Sequence, residues 1–196
     1  LIEALDIPVM HDDQHGTAVV VLAGLINALK IVNKQINTIK IMISGAGAAG
    51  SAVAKMLTAY GATNILVANS KGLMNIPGTL ADGIKDADVF IGVSAPNIVT
   101  SDMVRSMAPG AIVFALANPI PEIMPDLAKS AGARIVATGR SDFPNQVNNA
   151  LAFPGIFRGV LDARLSKITQ DMKLKAALAL ANHIGHPDIN HILPDL

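Results

Sequence analysis

Gly45-Ala46-Gly47-Ala48-Ala49-Gly50 follows the β-branched run Ile39-Lys40-Ile41-Met42-Ile43-Ser44 and precedes Ser51-Ala52-Val53-Ala54-Lys55-Met56-Leu57, whose apolar residues recur at helical spacing. A G-x-G-x-x-G string alone is weak, but between a strand and a helix it becomes a mechanism. Gly45 permits the tight turn, Gly47 lets the backbone approach a pyrophosphate, and Gly50 allows the helix to pack closely on the strand. Ala46, Ala48 and Ala49 complete the loop, and the amides at the helix start supply donors and partial positive charge to phosphates. The competing reading is a purely structural glycine turn. The strand–loop–helix context favours dinucleotide binding.

Around this loop, strand patterns alternate with helical ones. Strands are predicted at 39–44, 64–68, 89–93, 112–115 and 134–138. Helices are predicted at 17–32, 48–60, 80–85, 101–108, 122–131, 155–164 and 169–184, with Pro154 suited to a helix start. The order implies right-handed crossovers and an α/β fold, a Rossmann-like, doubly wound, mostly parallel sheet with flanking helices. The proline-punctuated stretch after His186 predicts an irregular end, and His183, His186 and His191 read as surface or packing residues.

The chain has 196 residues, 51% of them hydrophobic and 15% charged, enough for one large domain with a sizeable core. The longest apolar run, 18–26, is shorter than the roughly 20 residues of a spanning helix and reads as a buried helix face. Leu1-Ile2-Glu3-Ala4 lacks the charged-then-apolar order of a signal peptide, and the expectation is a cytoplasmic protein with no membrane partner. Fifteen basic and fifteen acidic residues cancel, and there is one tyrosine and no tryptophan. Nucleic-acid binding is therefore not expected. The absence of cysteine excludes disulfides and thiolate chemistry.

Four further groups carry chemistry. His11-Asp12-Asp13-Gln14-His15 sets two carboxylates between two histidines, a candidate for a divalent cation, with solvated loop acids as the alternative. Asn118 after one predicted strand, and Asn148 and Asn149 after the last, are neutral hydrogen-bonding groups at the sheet edge where ligands bind, or else turn residues. Ser94 and Ala95 end another strand, as small liners of a groove or as a plain turn. On the same edge Arg140 is either a carboxylate partner or one half of an ion pair with Asp142.

Taken together these segments resemble the NAD(P)-binding domain of malic enzymes, particularly the bacterial type. The resemblance rests on His-Asp-Asp-Gln-His-Gly-Thr-Ala at 11–18, the glycine loop at 45–50, Asp-Val-Phe-Ile-Gly-Val-Ser-Ala-Pro at 88–96 and Phe-Ala-Leu-Ala-Asn-Pro at 114–119. It extends through Ala-Thr-Gly-Arg-Ser-Asp-Phe-Pro-Asn-Gln-Val-Asn-Asn at 137–149 to Gly155. It implies that residues 1–196 form that domain, and that a catalytic lysine, a tyrosine and a Glu-Asp pair of metal ligands lie in an N-terminal domain not in this chain. The implied reaction is metal-dependent oxidation of malate and decarboxylation to pyruvate and CO₂, with NAD or NADP and Mg²⁺ or Mn²⁺, in a homodimer or higher oligomer. By the family pattern Asp13 is a metal ligand and Asp12 its auxiliary neighbour with a catalytic part. Thr17 contacts the cofactor, and Asn118 with Asn148 or Asn149 holds substrate near the nicotinamide.

The second strand ends Asn69-Ser70-Lys71 with no carboxylate for a ribose 2′-hydroxyl, and these three can instead donate to a 2′-phosphate. The reading leans to NADP or weak discrimination. From Ser70–Leu73 the chain runs directly to Asn75–Gly78, where family members carry a longer segment. An oxaloacetate decarboxylase without net redox, and a non-catalytic nucleotide-binding module, are the alternative functions.

Overall fold

A computed structural model of the protein describes residue 2 and residues 4–195; Leu1, Glu3 and Leu196, which entered the reading of the two ends, lie outside the described residues. A single π-helical turn at Asp12–Gly16 leads into α1 (Thr17–Val32). There follow β1 (Lys40–Ser44), α2 (Ala48–Tyr60), β2 (Asn64–Asn69), β3 (Gly72–Leu73), α3 (Leu80–Ile84), β4 (Val89–Gly92) and α4 (Ser101–Arg105). The chain continues through β5 (Ile112–Ala115), α5 (Pro125–Ser130), β6 (Ile135–Thr138), α6 (Phe153–Asp162) and α7 (Gln170–His183). The strands form one sheet in the order β3-β2-β1-β4-β5-β6, parallel throughout except for β3 against β2.

Side chains alternate across each strand and so build two cores. Ile41, Ile43, Ile91, Ile112, Phe114 and Ile135 face α1, α2, α6 and α7, whereas Met42, Phe90, Val113 and Val136 face α3, α4 and α5. The helix α1 is buried nearly all round, because the sheet lies on one side and α2, α7 and the tail on the other. With the π turn it forms a helical run of 21 residues, long and apolar enough by length and composition to cross a membrane, and its most apolar window is 72% buried in the fold. The sequence run 18–26 understated that length, since the helix continues past Asn27 and Lys30.

Several expected helices are shorter than their patterns. Thr79 and Asp82 cap α3 reciprocally, and Thr100 caps α4, which ends at Arg105 rather than 108. Pro125 starts α5, so residues 122–124 stay outside it. The two-residue β3 was not expected: it is too short to show a period. It forms because Met74 N donates to Val67 O (2.8 Å) and Leu73 N to Gly78 O (2.9 Å), folding the segment into a tight hairpin.

The irregular tail is integral to the core. Ile192 and Leu193 are buried. Asn27 Nδ2 donates to Ala181 O (2.9 Å) and Ile192 O (3.0 Å). Asn145 donates to Val136 O and Ile189 O and accepts from Ile192 N. The buried side chains of Asn27 and Asn145 thus fasten the tail at Ile189 and Ile192.

Candidate functional site

The strand order reverses between β1 and β4, and an open α/β sheet binds ligands outside the carboxyl ends of its strands at such a point. A recess of about 900 Å³ lies there, lined by Ser44, Gly45, Gly47, Asn69, Ser94 and Ala95 among others. Gly45 has φ 116°, and its N–H donates to Ala68 O (2.9 Å). A Cβ at Gly50 would sit 1.7 Å from Gly45 O, so only glycine lets α2 start this close to the loop. Gly47, by contrast, has no protein atom within 4 Å of the place a Cβ would take; that face is open to the groove. No side chain caps α2, which leaves its first amides available at the mouth of the recess. Ala46, Ala48 and Ala49 lie in this same turn and first helical residues.

One wall is held by a residue the sequence reading placed in a helix. Glu122 has no exposed surface. Its Oε1 accepts from Ser94 N (2.9 Å) and its Oε2 from Ala117 N (3.0 Å). The carboxylate therefore ties the end of β4 to the loop carrying Asn118. Burial pushes its pKa above the ordinary glutamate value, against the pull of those donors. Ser94 Oγ also lies 3.0 Å from Ser44 Oγ, bridging the two strands at the reversal. Glycine at 92 makes room, since a Cβ there would meet the Glu122 carboxyl group. Read as the first residue of a helix, Glu122 gives no sign of this role; the small residues Gly92 and Ser94 at the end of β4 are the available signal.

At the far end of β2, Asn69 Oδ1 accepts from Lys71 N (2.8 Å), which sets the turn and leaves the Asn69 amide nitrogen free to donate. Asn69, Ser70 and Lys71 are all exposed on the recess.

The second cluster joins segments far apart in sequence. Asn149 Nδ2 donates to Asp12 Oδ2, across 137 positions. Asp12 Oδ1 is buried and has no hydrogen-bond partner among the described residues. It lies against Gly16, where a Cβ would approach it to 2.2 Å. A buried carboxylate oxygen without a partner calls for a cation or a donor from outside these residues. Asp13 is exposed beside it, so two carboxylates offer hard oxygen donors suited to Mg²⁺ or Mn²⁺. Among the described residues no third His, Cys, Asp or Glu joins them. The flanking histidines do not complete the set: His15 Nδ1 accepts from His11 N (3.3 Å) instead.

The asparagine pair divides. Asn148 Oδ1 accepts from Ala150 N (2.9 Å) and caps the 3₁₀ turn Asn149–Leu151, whereas Asn149 reaches Asp12. Thr17 opens α1 directly after the acidic turn, and Asn118 is exposed beyond β5. Arg140 takes the structural alternative: it grips Asp142 through Nε (2.8 Å) and Nη2 (2.6 Å) and donates Nη1 to Pro119 O (2.7 Å). It braces the loop behind Asn118 rather than offering a free guanidinium.

The model of the malic enzyme NAD-binding domain matches residues 14–76 and 67–196. The NAD-dependent malic enzyme of Geobacillus stearothermophilus is 50% identical over 217 residues, covering 99% of this chain and 45% of that protein. The NADP-dependent malic enzyme of Halomonas elongata is 45% identical over 207 residues, covering 95% and 49%. The crystal structure of the NAD-dependent malic enzyme from Thermotoga maritima superposes with TM-score 0.96 at 44% identity, over 100% of this chain and 57% of that one. The chain spans about half the length of the curated relatives it matches. The two matched pieces of the family model overlap at 67–76. The chain belongs to the malic enzyme family and corresponds to its NAD-binding domain.

Proposed function

We propose that this chain is the dinucleotide-binding part of a decarboxylating malate dehydrogenase, converting malate to pyruvate and CO₂ with NAD or NADP and Mg²⁺ or Mn²⁺. The observation that carries the reading is the junction of Asp12 with Asn149 beside exposed Asp13. In it an acidic and an amide group from opposite ends of the chain are in contact. When bound, the dinucleotide accepts the hydride leaving C2 and the divalent cation polarises the C2 oxygen.

The chain's own residues bind and orient. Gly45–Gly50 and the first amides of α2 hold the pyrophosphate, with Thr17, Ser94, Ala95 and Asn118 along the nicotinamide end. Asp13 would be a ligand of the divalent cation. Asp12, fixed by Asn149, has an unpartnered Oδ1 that would serve the cation or a cationic side chain supplied by the rest of the enzyme. Asn118 and Asn149 donate to the substrate carboxylate or hydroxyl, which orients C2 without adding charge. Asn148 shapes the turn that carries Asn149. The remaining acid–base groups and metal ligands come from an N-terminal domain outside this chain, and the enzyme works as a homodimer or larger homo-oligomer in the cytoplasm.

On the adenosine side the free Asn69 amide, Ser70 and Lys71 can serve a 2′-phosphate, so NADP is used at least as well as NAD. The test is an assay of the whole enzyme with malate and either dinucleotide, in parallel with oxaloacetate alone. Malate-dependent formation of reduced dinucleotide is expected. Decarboxylation of oxaloacetate with no malate oxidation would overturn the proposal. The 196 residues alone should bind dinucleotide without turning over malate.

A further inference from the structure

A second recess, of about 200 Å³, shares no lining residue with the dinucleotide groove and opens where the π turn, α2 and the start of α7 meet. Its polar lining is Gln14, His15, Ser51, Lys55, Gln170 and Lys173. Every ionisable group among its lining residues is basic. Lys173 is nine-tenths buried, yet among the described residues its ammonium makes neither an ion pair nor a hydrogen bond. Lys55, on the exposed rim, also lacks an ion pair there. The nearest acid in sequence, Asp171, is engaged by Lys175 (2.8 Å).

The Lys173 stem is packed into the fold, and holding its ammonium in a half-enclosed recess beside a second ammonium is unfavourable unless an anion offsets both charges. Burial and the neighbouring Lys55 both hold the Lys173 pKa below the ordinary lysine value, consistent with an uncompensated pair. Two lysines and two side-chain amides form a many-donor surface for a compact anion, beside a Ser51 hydroxyl that donates to Ala46 O (3.4 Å) and would turn to the anion. Lysine acts as a point charge suited to phosphate, whereas planar carboxylates are matched by the arginine fork, and no arginine lines this recess.

We propose that the recess between the π turn, α2 and α7 is a phosphate-binding site, held by Lys55 and Lys173 with Ser51, Gln14 and Gln170, for a free phosphate or a phosphate group of a larger ligand. The site is separate from the pyrophosphate cradle. It touches both functional loops, through Gln14 and His15 next to Asp13 and through Ser51 next to Gly50.

The test titrates the full chain with inorganic phosphate against chloride at matched ionic strength, following backbone amide NMR shifts and Tm. Saturable shifts are expected at Ser51, Lys55, Gln170 and Lys173, with a rise in Tm. Lys173→Met, which keeps an unbranched apolar stem, should weaken the phosphate Kd at least about tenfold. Lys55→Met, on the rim, should weaken it by a smaller factor and keeps the test open if the buried variant does not fold. Titration of succinate in a separate arm, at the same ionic strength, should give no saturable shift in the recess, whereas AMP should reproduce the phosphate shifts if the phosphate is carried by a nucleotide. The proposal is overturned if phosphate acts no differently from chloride. Shifts confined to Gly45–Gly50, binding unchanged in both variants, or succinate binding as tightly as phosphate would overturn it equally.

Discussion

Replacing Glu122 should uncouple the two loops that wall the dinucleotide groove. Its carboxylate accepts from Ser94 N at 2.9 Å and from Ala117 N at 3.0 Å with no solvent access. A hydrogen bond to a charged group contributes roughly 1.5–3 kcal/mol, and a buried N–H left without a partner costs about 1–3 kcal/mol. Glu122→Ala removes both acceptors, so a loss of about 3–5 kcal/mol follows once relief of the buried charge is set against it. Glu122→Gln keeps one oxygen acceptor but points an NH₂ at the other backbone donor, so about half the loss is expected. With a urea slope of about 2 kcal/mol/M, the midpoint should fall by about 2 M for Ala and about 1 M for Gln.

The same pair of variants should also show the pH dependence of this buried acid. The folded-state pKa lies above the unfolded value near 4.5, so the folded state holds the proton more tightly. The stability tied to protonated Glu122 is full below that unfolded value and is lost as pH rises through the folded one. Glutamine does not titrate, so the advantage of wild type over Glu122→Gln should shrink as pH rises across that window. Dinucleotide affinity, measured by calorimetry, should drop about tenfold in the Ala variant as the Ser94 and Asn118 loops drift apart. Wild-type midpoints and affinities in both variants, or a gap that widens with pH, would refute the reasoning.

Further outcomes follow from the same geometry. In the whole enzyme Asp13→Ala should cost far more metal affinity than Asp12→Ala, as read by Mn²⁺ titration; equal, mild effects would argue that neither acid touches metal. Gly50→Ala places a methyl 1.7 Å from Gly45 O and should abolish dinucleotide binding or folding, as followed by calorimetry and circular dichroism. Asn27→Ala strands two buried carbonyls and should lower stability by about 2–3 kcal/mol in urea denaturation, with little change in dinucleotide affinity. Lys71→Ala should lower kcat/KM for NADP several-fold while leaving NAD nearly unchanged. A strong NAD preference already present in the unmodified enzyme would contradict the reading of Asn69-Ser70-Lys71.

What could be read from the chain was what local pattern encodes. The β1–loop–α2 unit matched because its strand period, glycines and helical spacing are adjacent, and the bounds of α1 and α2 came out as read. The short helices α4 and α5 were over-extended, because apolar residues that pack as loop share the spacing of helix. Contacts across the chain left no local trace. Nothing near Asp12 announces Asn149, and nothing near Asn27 announces Ile192. Asn148 and Asn149 could not be told apart, since adjacent asparagines differ only in which one the 3₁₀ turn uses as its cap. Glu122 was hidden for a related reason: its burial depends on Gly92 and Ser94 of another strand.

The double clamp on the tail sets the order in which this domain can be finished as it is made. Asn27 belongs to the first helix, but its acceptors lie 154 and 165 positions later. At roughly 5–20 residues per second, synthesis leaves α1 waiting for on the order of 10–30 s before Ile192 leaves the ribosome. Throughout that interval the most apolar helix of the chain lacks its outer cover, and a buried amide lacks its acceptors. The nascent sheet can assemble strand by strand, but it closes only when α7 and residues 185–193 arrive. The growing polypeptide is thus a natural client for chaperones that hold apolar helices, and a ribosome stalled shortly before Ile192 would display an open domain with α1 exposed.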